Sequence, residues 1–166
     1  MLETRRLILR LMRPEDVDGL LKIFADPKVM KSFGVDPFTK AQMEKWVWRN
    51  IIHQQKHGYG LFTVVHKDDH IIVGDCGLEH MEILGQPEVE LGYDFRSDYW
   101  NQGLASEAAR AVRDFALFTL HLPRLISLIR PDNVASRRVS EKIGMKPEQD
   151  IMRGDEKYFI YSLPEA

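Results

Sequence analysis

Cysteine is nearly absent: the 166 residues contain one, Cys76. That excludes an internal disulfide and a thiolate metal cluster. A charge excess of either sign is missing too, with 23 Lys and Arg against 25 Asp and Glu and a net charge of −2. General nucleic-acid binding usually shows a strong basic excess, so no nucleic-acid partner is expected. No run approaches the roughly 18 apolar residues of a membrane span. The opening Met-Leu-Glu-Thr-Arg-Arg is too charged for the apolar core of a signal peptide. The expectation is therefore no membrane association and a cytoplasmic location. The six histidines show no paired ligand spacing, and no metal is expected. Internal repeats, low-complexity tracts and linkers are also lacking, which points to a single domain over residues 1–166.

What is present is a globular composition, 44% hydrophobic and 29% charged, long enough to build its own core. Residues 5–12 read as a first strand. Pro14-Glu15-Asp16 opens a helix that runs to Ala25, because proline suits the first turn and acids suit its positive end. A second helix is expected over 39–56, with Met43, Trp46, Val47, Ile51 and Gln54 near one face. From Tyr59 onward three β-rich stretches are separated by Lys67-Asp68-Asp69 and Gly85-Gln86-Pro87, an antiparallel meander. A helix over 103–119, a strand over 124–129, a helix from Asp132-Asn133 and two closing strands near 145–152 and 157–163 follow. The order predicts an α/β (α+β) fold: a mixed, mostly antiparallel sheet of six to seven strands with helices on both faces.

The start of the helix at 103 is unusual. Trp100-Asn101-Gln102-Gly103-Leu104-Ala105-Ser106-Glu107 opens a strong helical run with a glycine, which costs about 1 kcal/mol against alanine inside a helix. A helix N-terminus leaves its first N–H groups unpaired and partly positive, a site for phosphate. A bare backbone at Gly103 and Ala105 lets a diphosphate reach the amides of about residues 101–106, with the Ser106 hydroxyl added. The alternative is that Gly103 only lets the helix pack on the sheet. No Gly-Lys-Ser/Thr ending and no three-glycine dinucleotide fingerprint is present.

Three ordered stretches resolve the ambiguity: Val-Glu-Leu-Gly-Tyr-Asp-Phe at 89–95, the 99–112 segment around Gly103, and Asn-Val-Ala-Ser-Arg-Arg-Val-Ser-Glu-Lys-Ile-Gly-Met at 133–145. Together they resemble the GNAT superfamily of acyl-CoA-dependent N-acetyltransferases. The opening Thr4-Arg5-Arg6-Leu7-Ile8-Leu9-Arg10 is similar to the ribosomal-protein N-terminal (RimJ/RimL-type) branch. The resemblance implies acetyl-CoA as acetyl donor, with its diphosphate at Asn101, Gln102, Gly103, Leu104, Ala105 and Ser106. It implies a bulged, splayed strand whose backbone at Tyr93, Asp94, Phe95 and Arg96 pairs with the pantetheine arm; Gly92 inside that strand is itself a bulge signal. Asn133 then touches cofactor or holds the loop. Arg137 and Arg138 lie near the phosphates, with a solvated helix face as the alternative. Ser136 protonates the departing CoA thiolate, with helix capping as the alternative. Trp100 stands where the wider superfamily usually has Arg or Gln. Dimers are common in the family, so a homodimer is one state open to the chain.

The implied reaction is direct transfer of acetyl to a primary amine, whose proton must leave at neutral pH. The resemblance places that task on Glu90, acting directly or through water, with Glu88, His80 and Glu79 as alternatives. Cys76 reads as a small buried hydrophobe rather than a nucleophile. Between residues 68 and 95 there are eight acids and no Lys or Arg, whereas 96–153 holds ten basic residues against seven acids. That asymmetry fits a cationic amine meeting an anionic CoA; a solvated acidic hairpin is the plain alternative. The acceptor implied is a protein N-terminal amine. A small polyamine or amino-sugar is the runner-up, and a catalytically silent acyl-CoA-binding module the alternative of a different class.

Overall fold

The computed structural model describes residues 1–163. In chain order the elements are β1 (Leu2–Glu3), β2 (Leu7–Leu11), α1 (Val17–Phe24), α2 (Pro27–Met30), α3 (Lys40–His57), β3 (Leu61–His66), β4 (Ile71–Ile83), β5 (Gln86–Phe95), α4 (Leu104–Asp114), β6 (Leu125–Ile129), α5 (Val134–Lys142), β7 (Lys146–Arg153) and β8 (Glu156–Leu163). The strands form one eight-stranded sheet in the order β1-β2-β3-β4-β5-β6-β8-β7. Every neighbouring pair is antiparallel except β5 with β6. The count exceeds the expected six to seven because of β1, whose two residues pair Leu2 with Leu9 and Glu3 with Ile8. Two residues are too few to show alternation in the sequence.

Local chemistry accounts for the helix ends. Thr39 and Gln42 form a reciprocal capping box at the start of α3, and Gly58 closes it at φ +77°. Within α3, Gln54 turns inward and its amide meets both backbone groups of Met12, at 3.0 and 2.7 Å. The first helix expected from sequence is divided: Pro14–Asp16 forms a 3₁₀ turn before α1. The helix expected over 103–119 is α-helical to Asp114 and continues as a π-helical turn over Phe115–Thr119. Among the described residues no helix is long and apolar enough to cross a membrane.

Helices cover both faces, as expected. On one face α4 buries Leu104, Ala108, Ala109 and Val112 against Leu7, Leu9, Val64, Cys76, Leu91 and Phe95 of the sheet. On the other, Leu20, Ile23 and Phe24 of α1 pack with Met43, Val47 and Ile51 of α3. Because side chains alternate along a strand, β5 sends Leu91 and Phe95 into the first core and leaves Glu90, Gly92 and Asp94 on the α3 side.

The opening segment braces α4 from behind. The Glu107 carboxylate accepts from the Thr4 hydroxyl (2.6 Å), the Arg6 amide (2.9 Å) and the Arg6 Nε (2.7 Å). Arg6 Nη1 donates to the Gln102 carbonyl at 2.9 Å. Burial raises the Glu107 carboxyl, but the bonds from Thr4 and Arg6 outweigh it and hold it below its ordinary value. Leu7 and Leu9, fully buried, anchor this brace to the core. A double-mutant cycle of Arg6→Ala and Glu107→Ala should return a coupling of about 1–3 kcal/mol in denaturant melts, the range of charged hydrogen bonds. Additive single effects would show that the two residues do not act as one clamp.

Candidate active site

The one parallel contact in the sheet organises the site. β5 and β6 pair at a single register, Glu90 with Ile126, and then diverge. Side chains take over where the ladder stops. The Leu128 amide donates to the Glu90 carboxylate at 3.1 Å, and the Ser127 hydroxyl donates to the Leu91 carbonyl at 2.7 Å. The expected bulge at Gly92 is not found: β4 and β5 pair without a register shift from Gly74–Phe95 to Ile83–Gln86. The splay lies on the β6 side instead. Gly92 has a different reason to be glycine, since a Cβ there would meet nothing within 4 Å and would stand in the open pocket.

A cleft of about 370 Å³ opens between the end of β5 and the N-termini of α4 and α5. Of the residues assigned to cofactor binding, Tyr93, Asp94, Phe95, Asn101, Gly103, Leu104, Ala105, Ser106, Asn133 and Arg138 line it. Asn101 and Gly103 are both left-handed, at φ +61° and +77°. A Cβ at Gly103 would find only Arg6 Nη2, at 3.7 Å, so the glycine is needed for its backbone conformation rather than for room. No side chain caps α4, and the first helical bond runs from the Glu107 amide to the Gly103 carbonyl. The amides of Leu104, Ala105 and Ser106 therefore lack helical partners and face the cleft, which suits an anion such as a diphosphate.

Two assigned residues lie elsewhere. Arg96 pairs with Asp98 at 2.8 Å and stands over the Tyr99 ring, while Gln102 gives its carbonyl to Arg6. Neither lines the cleft. The backbone of the β5 end is also partly engaged, because Trp100 Nε1 donates to the Phe95 carbonyl and the Arg96 amide to the Val73 carbonyl, each at 2.9 Å. Trp100 thus braces the turn that follows β5. Arg137 is bound to Tyr161 and the Pro131 carbonyl, away from the cleft. Lys142, which the sequence reading missed, joins Arg138 there; the signal was its i,i+4 spacing on one helix face. Asn133 caps α5, its side chain accepting from the Ser136 amide at 3.2 Å. The capping role considered for Ser136 thus belongs to Asn133, and Ser136 lines the cleft from inside the helix.

A second, larger pocket of about 890 Å³ lies on the α3 side of β5. The loop after α2, with Ser32 and Phe33, roofs it, and Gln42, Trp46 and Arg49 of α3 form a wall. Tyr93, Asp94, Asn133 and Ser136 line both spaces, so the pocket and the cleft meet there. Five carboxyls line the pocket: the exposed Asp36, and Asp75, Glu79, Glu90 and Asp94 on the two strands. Burial pushes Glu90 up to about 7, against the pull of the Leu128 amide. Asp94 is likewise raised to about 7 by burial and by the Glu79 charge. Asp75, fully buried, is pushed well above the carboxylate range by burial and by Asp94 and Glu79. Glu79 is raised by burial and opposed by Arg49. Half the acids of the 68–95 stretch therefore face inward rather than into solvent.

Two of the alternative bases are displaced from the pocket. Glu88 has the strand parity of Glu90, but both its carboxylate oxygens take Arg124 Nε, at 3.1 Å each. His80 stacks on His57 and meets the Tyr59 hydroxyl at 2.6 Å. Glu79 remains, directly across from Glu90. Cys76 is buried in the α4 core with its thiol pushed up by burial, as befits a packing residue.

Comparison with known proteins identifies the family. Residues 6–146 match the model of the acetyltransferase (GNAT) domain. The chain is 34% identical over 162 residues to the uncharacterized protein YkkB of Bacillus subtilis (strain 168), covering 96% of this chain and 93% of that one. Its structure is similar to that of a GNAT-family acetyltransferase from Bacillus anthracis, with a TM-score of 0.82, 28% identity and coverage of 98% and 97% of the two chains. It shares its fold with RimL, a ribosomal L7/L12 α-N-protein acetyltransferase solved with coenzyme A, at a TM-score of 0.78, 16% identity and coverage of 98% and 96%. A family match across most of the chain, a matching fold and an uncapped helix at an anion-sized cleft agree: the chain belongs to the GNAT family of N-acetyltransferases.

Proposed function

We propose that the chain transfers acetyl from acetyl-CoA directly to a primary amine, without a covalent enzyme intermediate. The observation that carries this reading is the junction of the two spaces at Tyr93, Asp94, Asn133 and Ser136, beside a carboxyl at Glu90 poised at about 7. An amine entering the acidic pocket arrives at the thioester end of a donor held in the cleft. The uncapped amides at 104–106 hold its diphosphate, with Arg138 and Lys142 supplying positive charge. Acetyl-CoA supplies the thioester, whose C–S bond breaks as the C–N bond forms.

The chain supplies the proton traffic. Glu90 takes the proton that the amine must lose, and its value near neutrality suits a general base, worth typically about 10²–10⁴ in rate. The Ser136 hydroxyl gives a proton to the leaving CoA sulfur. Backbone N–H groups of β5 beyond Leu91 stabilise charge developing on the carbonyl oxygen. The likeness to RimL suggests a protein N-terminal amine as acceptor, whereas the four inward carboxyls favour a small, strongly cationic amine.

The first test is specific stabilisation. Acetyl-CoA and CoA should raise the melting temperature well above any effect of NAD or ATP, since a ligand at a hundred times its Kd adds about 2.7 kcal/mol. Equal shifts for all four would sink the donor assignment.

Glu90→Gln should lower kcat with little change in acetyl-CoA affinity, and the deficit should shrink as pH rises and free amine accumulates. The same change should stabilise the protein. Glu90 is raised from 4.5 to about 7 in the folded state, so folding favours its neutral form, and stability falls as pH rises through that window. Glutamine keeps the acceptor for Leu128 without the charge, so its melting temperature should exceed wild type at pH 8 and match it near pH 4. A slower variant that is also less stable at pH 8 would point to a structural role alone.

Ser136→Ala separates catalysis from architecture. Because Asn133 provides the cap, stability should change by less than the roughly 0.5–2 kcal/mol of a lost cap. With both substrates saturating, kcat should fall about tenfold, a modest share of typical acid catalysis. Unchanged kcat would remove Ser136 from the mechanism.

A further inference from the structure

The roof of the larger pocket is held by few contacts. Residues 31–37 follow α2 and pass over the junction of pocket and cleft, where Ser32 and Phe33 line both spaces. Phe33 and Val35 are 40% and 52% exposed, so neither side chain roots the segment in the core. Its backbone bonds are local: the Gly34 amide donates to the Lys31 carbonyl at 3.1 Å, and the Val35 amide to the Met30 carbonyl at 3.5 Å. Among the described residues, one hydrogen bond ties 31–37 to a distant part of the chain. Arg130 Nη1 donates to the Phe33 carbonyl at 3.2 Å.

Arg130 meets the roof from a fixed position. It stands just past β6, and its own carbonyl accepts the Asn133 amide at 3.0 Å. Its backbone thus shapes the turn that presents Asn133 and Ser136, while its side chain reaches back to the roof. Each guanidinium nitrogen has a different partner: Nη2 pairs with Glu156 at 3.3 Å, Nε with Asp132 at 3.7 Å, and Nη1 with the roof carbonyl. Neither acid lines the pocket, so both act on the direction of the fork rather than on a bound amine. On the roof side the chain comes close enough to require glycine. A Cβ at Gly34 would stand 2.1 Å from Arg130 Nη1, and its φ of +66° favours glycine independently.

A contact at this place bears on the chemistry. A thioester in the cleft is open to water as well as to an amine. In the competing reaction a water oxygen bonds to the carbonyl carbon and the C–S bond breaks, giving acetate, CoA thiol and a proton. Closing a site over its substrates suppresses such side reactions by excluding water. We infer that Arg130 is a positioning residue that latches the 31–37 roof over the junction, so that acetyl passes to the amine rather than to water. It acts through Phe33 and not on the reacting atoms. The inference rests on the reading above that the chain transfers acetyl to an amine, and adds how the site is kept closed while it does so.

Two measurements test the latch without depending on the acceptor. The first is amide hydrogen exchange over residues 33–36 in the CoA-saturated protein, which reports local opening. Arg130→Ala should speed exchange there about tenfold, the scale of one hydrogen bond to a charged group, and leave the core amides of α4 unchanged. The second is CoA thiol released from acetyl-CoA with no amine present, which should rise by a similar factor. Glu156→Gln withdraws one anchor of the guanidinium and makes no bond to the roof. It should shift both readouts the same way by less, and it serves if Arg130→Ala does not fold. Assays of N-acetyl product with spermidine, glucosamine and an N-terminal peptide run beside these. Roof exchange that matches wild type in both variants, or faster exchange with no added thiol release, would overturn the latch and leave amine transfer standing. If both readouts respond while the wild type acetylates none of the three amines, the latch stands and the transfer reading falls.

Discussion

The site depends on a sheet that comes apart after one pair. β5 and β6 are held in register at Glu90 and Ile126 alone, and beyond that point the backbones separate. A sheet interior does not leave main-chain groups idle, so the divergence needs substitutes, and two side chains provide them. Glu90 takes the Leu128 amide, and Ser127 takes hold of the Leu91 carbonyl. The residue proposed to handle the substrate proton is thus also the wedge that holds the gap open. Its carboxyl must stay an acceptor to do the second task, whichever protonation state the first requires.

The two-residue period of β5 then divides labour on a single strand. Leu91 and Phe95 enter the α4 core and fix the strand's height, so that Glu90, Gly92 and Asp94 form a floor on the far side. The same core fixes α4, and the Thr4–Arg6–Glu107 clamp fixes the turn that precedes it. The cleft amides at 104–106 therefore sit on a helix whose first turn is tied from behind. No atom of Thr4, Arg6 or Glu107 lines the cleft, yet the opening Thr-x-Arg-Leu-x-Leu-Arg stretch acts on it through that brace. Its last residue has a separate role: Arg10 binds Asp16 in two hydrogen bonds of 2.7 and 2.8 Å, and Asp16 also accepts from Thr63.

Elements with strong local signals were legible in the sequence: the helix that begins at Thr39, the meander turns, and the glycine that opens α4. The cleft-lining set around Gly103 followed from its resemblance to known motifs. What escaped was information held in register. Glu88 and Glu90 share parity and residue type, and only the tertiary position of Arg124 separates a surface ion pair from a pocket acid. Gly92 looked like a bulge because a glycine in a strand usually marks one, whereas the space above it explains it here. Asp75 sits in Ile-Ile-Val-Gly-Asp-Cys-Gly, a run that says nothing of what lies opposite. Its neighbour Asp94 is nineteen positions away in sequence and becomes its partner only through the β4–β5 pairing.

Six carboxyls of the scaffold and the pocket fall into two groups that respond oppositely to pH. Asp16 is buried and Glu107 half-buried, which raises them, but hydrogen bonds from Arg10 and Thr63 in one case, and from Thr4 and Arg6 in the other, bring them below their ordinary values. They stabilise the fold above that ordinary range and lose the effect as pH falls. Asp75, Glu79, Glu90 and Asp94 are raised, so each favours the fold while neutral and opposes it as pH rises through its shifted value. The difference lies less in burial than in partners. Each scaffold acid is paired with an arginine, whereas Arg49 alone opposes the pocket acids from within the pocket. Arginines at Asp75 and Asp94 would stabilise the sheet and fill the space above Gly92. Leaving those carboxyls without cations weakens the fold near neutral pH and keeps the space above Gly92 open.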